Sequence, residues 1–182
     1  MNIFYLSRNL KNCAKYHCDK HVVKMMTEYA QILSTAHRVL DGNETVTLTK
    51  SGRRYTRYLF EKTDWREPKL YKSVHAGHPS VVWTYSSREH YVYLYDLWVQ
   101  LHEEFKRRYN KNHASYDKLW DALMMTPKNI EDNGWTDPPP AIKGYDWLIT
   151  SDIVETYRNF YIHDKKEFAT WKTTTPHWWR VV

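Results

Sequence analysis

Apolar side chains recur at helical spacing from Val22 onward. Val22, Met25, Met26, Tyr29, Leu33, Ala36 and Leu40 share one broad face, which predicts a helix from about Asp19 to Leu40. Asp19 is its expected N-cap and Gly42 its expected stop. Before it, "MNIFYL" reads as a short strand or extended piece, and Ser7 can cap a short helix through Tyr16. Between residues 44 and 60, Thr, Val, Tyr and Leu alternate around Ser51–Gly52, the pattern of a β-hairpin or ordered flap. "KTDWREP" reads as a loop. Pro79 suits a first helical position. Ser86 with Glu89 forms the pattern of a capping box for a longer helix ending near Tyr109. Leu94, Leu97, Trp98, Leu101 and Phe105 would be its buried stripe. "SYDKLWDALMM" is another amphipathic helix, ended before Pro127. "DPPPAIKG" is a rigid loop with too little chain beyond it for an independent domain. A last helix starts near Ser151 and carries Val154, Tyr157, Phe160 and Tyr161. The two tryptophans of the tail "TTTPHWWRVV" are expected to be covered. The pattern as a whole predicts a mainly α, compact single-domain helical bundle over residues 1–182, with a small β-hairpin or flap near residues 44–60.

Composition narrows the functional classes. Apolar residues make up 42% of the chain, enough for a core, and the aromatic load is 9 Trp and 15 Tyr against 5 Phe. Tyr and Trp carry a polar tip and suit half-wet surfaces and base stacking. Five glycines and no GxGxxG or GxxxxGKS pattern exclude the common Gly-rich phosphate loops. The net charge of +6 favours phosphate-bearing partners, so nucleic acid or a nucleotide is the expected partner. The apolar run at the start is too short for a signal peptide or membrane span, so no membrane partner is expected. Cys13 and Cys18 make no disulfide framework, and a reducing cytoplasm is the expected compartment.

The densest chemistry is "KYHCDKHVVKMMTEYAQ", residues 15–31. A step of 100° per residue puts His21, Lys24, Glu28, Gln31 and Thr35 on one narrow polar stripe beside the apolar face. One reading is a solvated edge with a Lys24–Glu28 pair at i,i+4. The other is a pocket wall facing the later helices. A carboxylate partly desolvated near aromatics can act as acid or base. A lysine in the same pocket can be a Schiff-base nucleophile. Cys13, His17 and His21, at i, i+4 and i+8, invite a metal reading. They align only if one helix runs unbroken through Asp19, and no fourth ligand is close in sequence. Neither a metal nor any other cofactor is expected. His75, His78 and His90 read as helix caps or packing residues.

The runs "YHCDKHVVKMMTEYAQILSTAHRVLDG", "HPSVVWTYSSREHYVYL", "EEFKRRYNKNH", "YRNFY" and "WKTTTPHWW" together resemble a family of small tailed-phage proteins. That resemblance covers nearly the whole chain. It implies a protein acting in the cytoplasm of an infected bacterium and no particular reaction. The chain also resembles, in pattern, the phage pyrimidine-dimer DNA glycosylases, which are compact, helical and basic. Those enzymes use the α-amine at the chain start and a glutamate about two dozen residues on. The amine forms an imine at the sugar C1′, and β-elimination follows. The matching elements here are the Met1 amine and Glu28. The second residue is Asn, and a Met-Asn start keeps its methionine, so the amine is that of Met1 or the role passes to Lys24 or Lys20. On this reading Glu28 is the acid/base and Met1 or Lys24 the amine. His21, Gln31 and His78 line a base pocket. Arg53, Arg54 and Arg57 hold phosphate, and Trp83 stacks an extruded base. Two other classes need the same basic aromatic pocket. One is a non-catalytic protein that binds a nucleotide or a host defence factor. The other is an enzyme acting on small nucleotides.

Overall fold

The computed structural model describes residues 1–179. The element order is α1 (Leu10–Tyr16), α2 (Asp19–Asp41), β1 (Asn43–Leu48), β2 (Arg54–Leu59), α3 (Arg66–Lys69), α4 (Pro79–Ser86), α5 (Arg88–Tyr109), α6 (Ala114–Leu123) and α7 (Ile153–Asp164), with a 3₁₀ turn at Asp146–Leu148. The fold is mainly α, with one antiparallel hairpin running from Asn43 opposite Leu59 to Leu48 opposite Arg54.

Helix α2 is the axis of the molecule and packs against α4, α5 and α6. At 23 residues it is about 34 Å long, from a rise of 1.5 Å per residue. Its predicted apolar face is the core face: Val22, Met25, Met26, Tyr29, Leu33 and Ala36 are all essentially buried. The predicted stripe of α5 is buried too, and its Trp98 ring N–H donates to the Met26 carbonyl at 2.8 Å, locking the two long helices. Each apolar side chain of that size contributes about 1.5–3 kcal/mol on burial. The buried apolar residues form one cluster that extends from Ile3 to Tyr161. Trp178 and Trp179 pack against it. The remainder of that tail, residues 180–182, lies outside the described residues.

Several boundaries differ from the sequence pattern, each for a local reason. Asp19 does not cap α2. Cys18 holds the N-cap position without a side-chain bond, and Asp19 is the first helical residue. The Asp19 carboxylate instead accepts from Arg108 at 3.0 Å and from Thr170 at 3.0 Å, long-range partners that outcompete a local cap. Helix α1 is capped by Asn9, whose side chain accepts from the Asn12 N–H, and not by Ser7. Ser86 does not form a capping box, because its hydroxyl donates to the Trp83 carbonyl at 2.8 Å and Ser87 takes the N-cap of α5. The "KTDWREP" segment holds the single turn α3, with Asp64 bonded to the Arg66 backbone N–H at 2.9 Å. Gly42 does stop α2, through steric need: a Cβ there would lie 2.6 Å from the Arg38 carbonyl oxygen. No described helix is long and apolar enough to cross a membrane.

Candidate active site

The first residues of the chain are pinned to α2 by a buried hydrogen-bond chain. The Phe4 N–H donates to the Tyr29 hydroxyl at 3.1 Å, and the Cys13 thiol donates to the Phe4 carbonyl at 3.2 Å. His17 Nδ1 lies 2.8 Å from the Cys13 carbonyl and must carry the proton there, which leaves Nε2 to accept from the Tyr29 hydroxyl at 2.9 Å. Burial holds His17 neutral, lowering its pKa to about 4. Burial also raises the Cys13 thiol to about 11, so it is no nucleophile. His21 is stacked under Phe4, with ring centres 4.5 Å apart, and its Nδ1 is bonded to the Tyr161 hydroxyl. Cys13, His17 and His21 thus serve the chain start and do not converge. Among the described residues, no three His, Cys, Asp or Glu side chains converge on an ion site.

The chain start anchored in this way has its amine within electrostatic range of His78. Burial first lowers the His78 pKa, and the positive chain terminus and His75 lower it further, while Glu28 opposes them. The amine, His75 and Glu28 are therefore each within electrostatic reach of His78. Glu28 is 18% exposed and lies 3.2 Å from Lys24 Nζ, whereas Lys24 is 65% exposed. The Thr35 hydroxyl donates to the Gln31 carbonyl at 2.7 Å and accepts from the Val74 N–H at 3.1 Å, which ties the stripe to the loop carrying both histidines. His78 then caps α4, with Nδ1 accepting from the Ser80 N–H at 3.2 Å.

The other predicted residues lie further apart. Gln31 is half-buried on the same stripe. Trp83 is buried in the α4–α5 corner, its ring N–H donating to the Thr136 carbonyl at 3.1 Å and its face stacked on His90 at 4.3 Å. That face is occupied and not open to a base. Arg53 and Arg54 are exposed on the hairpin, and Arg57 lies over the Tyr55 ring at 4.9 Å. The structure does not bring these arginines onto Glu28. The hairpin does flank the histidine loop: burial raises the Tyr85 pKa and the nearby Tyr58 raises it further, and the Tyr85 hydroxyl donates to the Ala76 carbonyl at 3.5 Å.

Sequence reasoning missed His75 as a member of this group. It holds a left-handed backbone at φ 47°. A non-glycine residue in that region costs energy and is found at sites where geometry is imposed. The only sequence signal is the closely spaced pair in "HAGHP", which has no helical or strand periodicity.

Residues 1–117 match the pyrimidine dimer DNA glycosylase family. The chain belongs to that family. No curated protein and no solved structure matches it significantly. The glycosylase match spans the anchored chain start, α2 with Glu28, the hairpin, the His75–His78 loop and α5. The segment beyond it supplies Tyr161, which holds His21, and Thr170, which holds Asp19.

Proposed function

We propose that the protein is a DNA N-glycosylase that acts on pyrimidine dimers, with a lyase step after base release. The observation that supports this reading is that the chain's first amine and Glu28 both lie within electrostatic reach of His78, in a chain of this family. Met1 is favoured over Lys24 as the amine. α-Amines as a class lose their proton about two pH units below lysines. A lysine nucleophile needs desolvation or a cationic neighbour, and Lys24 sits in water paired with Glu28.

The neutral amine bonds through its lone pair to C1′ of the damaged nucleotide. The C1′–N glycosidic bond breaks, and its electron pair leaves with the base. Glu28 takes a proton from the attached amine and returns one to the ring oxygen, so the sugar opens to an imine. Glu28, a carboxylate again, takes a C2′ proton, the C3′–O bond breaks with its electron pair leaving on the 3′ phosphate, and water hydrolyses the imine to free the amine. His21 supports this site indirectly by stacking under Phe4, and His78 and Gln31 line the edge where the base would sit. The resemblance to tailed-phage proteins and the two free thiols support the cytoplasm of an infected bacterium as the setting.

The test is borohydride trapping on duplexes with and without a dimer. A covalent adduct on damaged duplex is expected, and chemical blocking of the α-amine should remove it. Glu28→Gln should lower turnover by about 10²–10⁴-fold, the usual worth of a general acid–base, without loss of folding. A variant that turns over like the parent makes Glu28 a surface partner of Lys24 only. Tight binding with neither turnover nor adduct would make the protein a binding module.

A further inference from the structure

The face of α2 that carries Lys24 borders a groove shared with Tyr109 at the end of α5. Three adjoining hollows of about 490, 380 and 460 Å³ run along the C-terminal end of α5 and onto α2. Lys111 and Asn112 line both the first and the second. Val23 and Tyr109 line both the second and the third. The hollows are therefore one trough, which begins at Arg107 and ends at Lys24, one helical turn from Glu28.

Its chemistry alternates cation and apolar surface. Lys20 and Lys111 make no ion pair among the described residues. Lys172 lies over the Tyr109 ring at 5.6 Å and Lys20 over Phe168 at 4.7 Å. The nearby carboxylates are already engaged. Asp19 and Glu104 bind Arg108, Glu104 also binds Arg107, and Glu103 lies 3.5 Å from Lys106. Val23 is 40% exposed in the middle of these charges, although the rest of its helix hides its apolar groups. Asn110, left-handed at φ 51°, turns the chain sharply between α5 and α6 and so presents Lys111 to the trough.

We propose that this trough seats the sugar–phosphate backbone of DNA on one side of the reacting nucleotide. The hairpin that carries Arg53, Arg54 and Arg57 follows the other end of α2. Phosphates would meet Lys20, Lys111 and Lys24, and deoxyribose would rest on Val23 and Tyr109. Such contacts position a strand without reading its sequence. The inference deepens the glycosylase reading and rests on it for the identity of the nucleic acid.

The experiment is the salt dependence of binding of a short fluorescein-labelled duplex, damaged or undamaged, by the whole chain. Each phosphate contact adds about 0.9 to the log–log slope, so Lys20→Ala with Lys111→Ala should flatten it by about 1.5–2. Adding Arg53→Ala, Arg54→Ala and Arg57→Ala should flatten it further by an independent amount. The lysines are exposed, and an unchanged thermal melt verifies folding. An unchanged slope in the lysine variant overturns the trough, as does a parent that binds neither duplex. Borohydride trapping on the same samples separates the two ideas. An adduct with an unchanged slope keeps the glycosylase and removes the trough. A flattened slope without an adduct keeps the trough and removes the glycosylase.

Discussion

His17, His21 and His37 are buried in forms that burial keeps neutral, with pKa values lowered to about 4, about 2 and about 4. His37 accepts its neutrality against Arg66 and bonds the Tyr91 hydroxyl at 2.8 Å. Each of these groups binds a proton in the unfolded chain near pH 6.5 and refuses it in the fold. The unfolded state therefore holds more protons between about pH 6.5 and 4, and stability rises with pH across that window. It is fully present above about 6.5 and is lost as pH falls toward 4. One such histidine costs about 1.4 kcal/mol per pH unit. Urea midpoints measured from pH 8 to pH 4 should be level at first and then fall steeply. A level profile down to pH 4 would mean that these rings are not held neutral. The loss should include the amine's anchoring, because His17 and Tyr29 hold Phe4.

At the scale of elements, the histidine loop is docked by two side chains of α2, Thr35 at Val74 and Arg38 at Leu70 and Tyr71. Arg38 is 1% exposed and donates to the Tyr71 carbonyl at 2.7 Å, the Glu67 carboxylate at 2.7 Å and the Leu70 carbonyl at 3.2 Å. It also reaches the Tyr58 carbonyl of the hairpin at 3.3 Å. A planar guanidinium can satisfy several carbonyls in different directions, whereas an ammonium is a single point. Arg38→Lys should therefore leave buried acceptors unpaired and cost about 3–5 kcal/mol. Hydrogen exchange should quicken in residues 71–78 and in the hairpin more than in α5. Uniform acceleration across all helices would mean that Arg38 stabilises the bundle and does not dock the loop.

On the scale of the whole molecule, the glycosylase-family region shares its core with the C-terminal segment. Phe4 packs on Tyr157, Phe160 and Tyr161 of α7, and the first turn of α2 bonds through the Asp19 N–H to the Thr170 carbonyl at 2.8 Å. The Trp171 ring N–H donates to the Tyr16 carbonyl at 3.1 Å beside the α1–α2 junction. A chain ended after residue 117 would expose that aromatic cluster and lose Tyr161 from His21 and Thr170 from Asp19. It should melt without a cooperative transition by circular dichroism and form no borohydride adduct. A cooperative melt near that of the full chain would show that the C-terminal segment is an accessory.

The helices other than α3, the hairpin and the α2 stop at Gly42 are legible in the sequence because apolar spacing and close backbone approach act locally. The same spacing puts Lys24, Glu28, Gln31 and Thr35 on one edge. Which polar residues face an opening and which are sealed is decided by tertiary contacts. His21 has the periodicity of a site residue but is taken by Phe4 and Tyr161, and Trp83 is taken by His90. Asp19 has the composition of a cap but is drawn off by Arg108, more than eighty residues away. His75 has no periodic signal, because its placement comes from a strained loop held by Thr35 and Arg38. The trough is invisible along the chain, because Lys20 and Lys111 share it only once α2 and α5 pack. Local propensity acts over a few residues, whereas a pocket is a relation between side chains that the fold alone brings together.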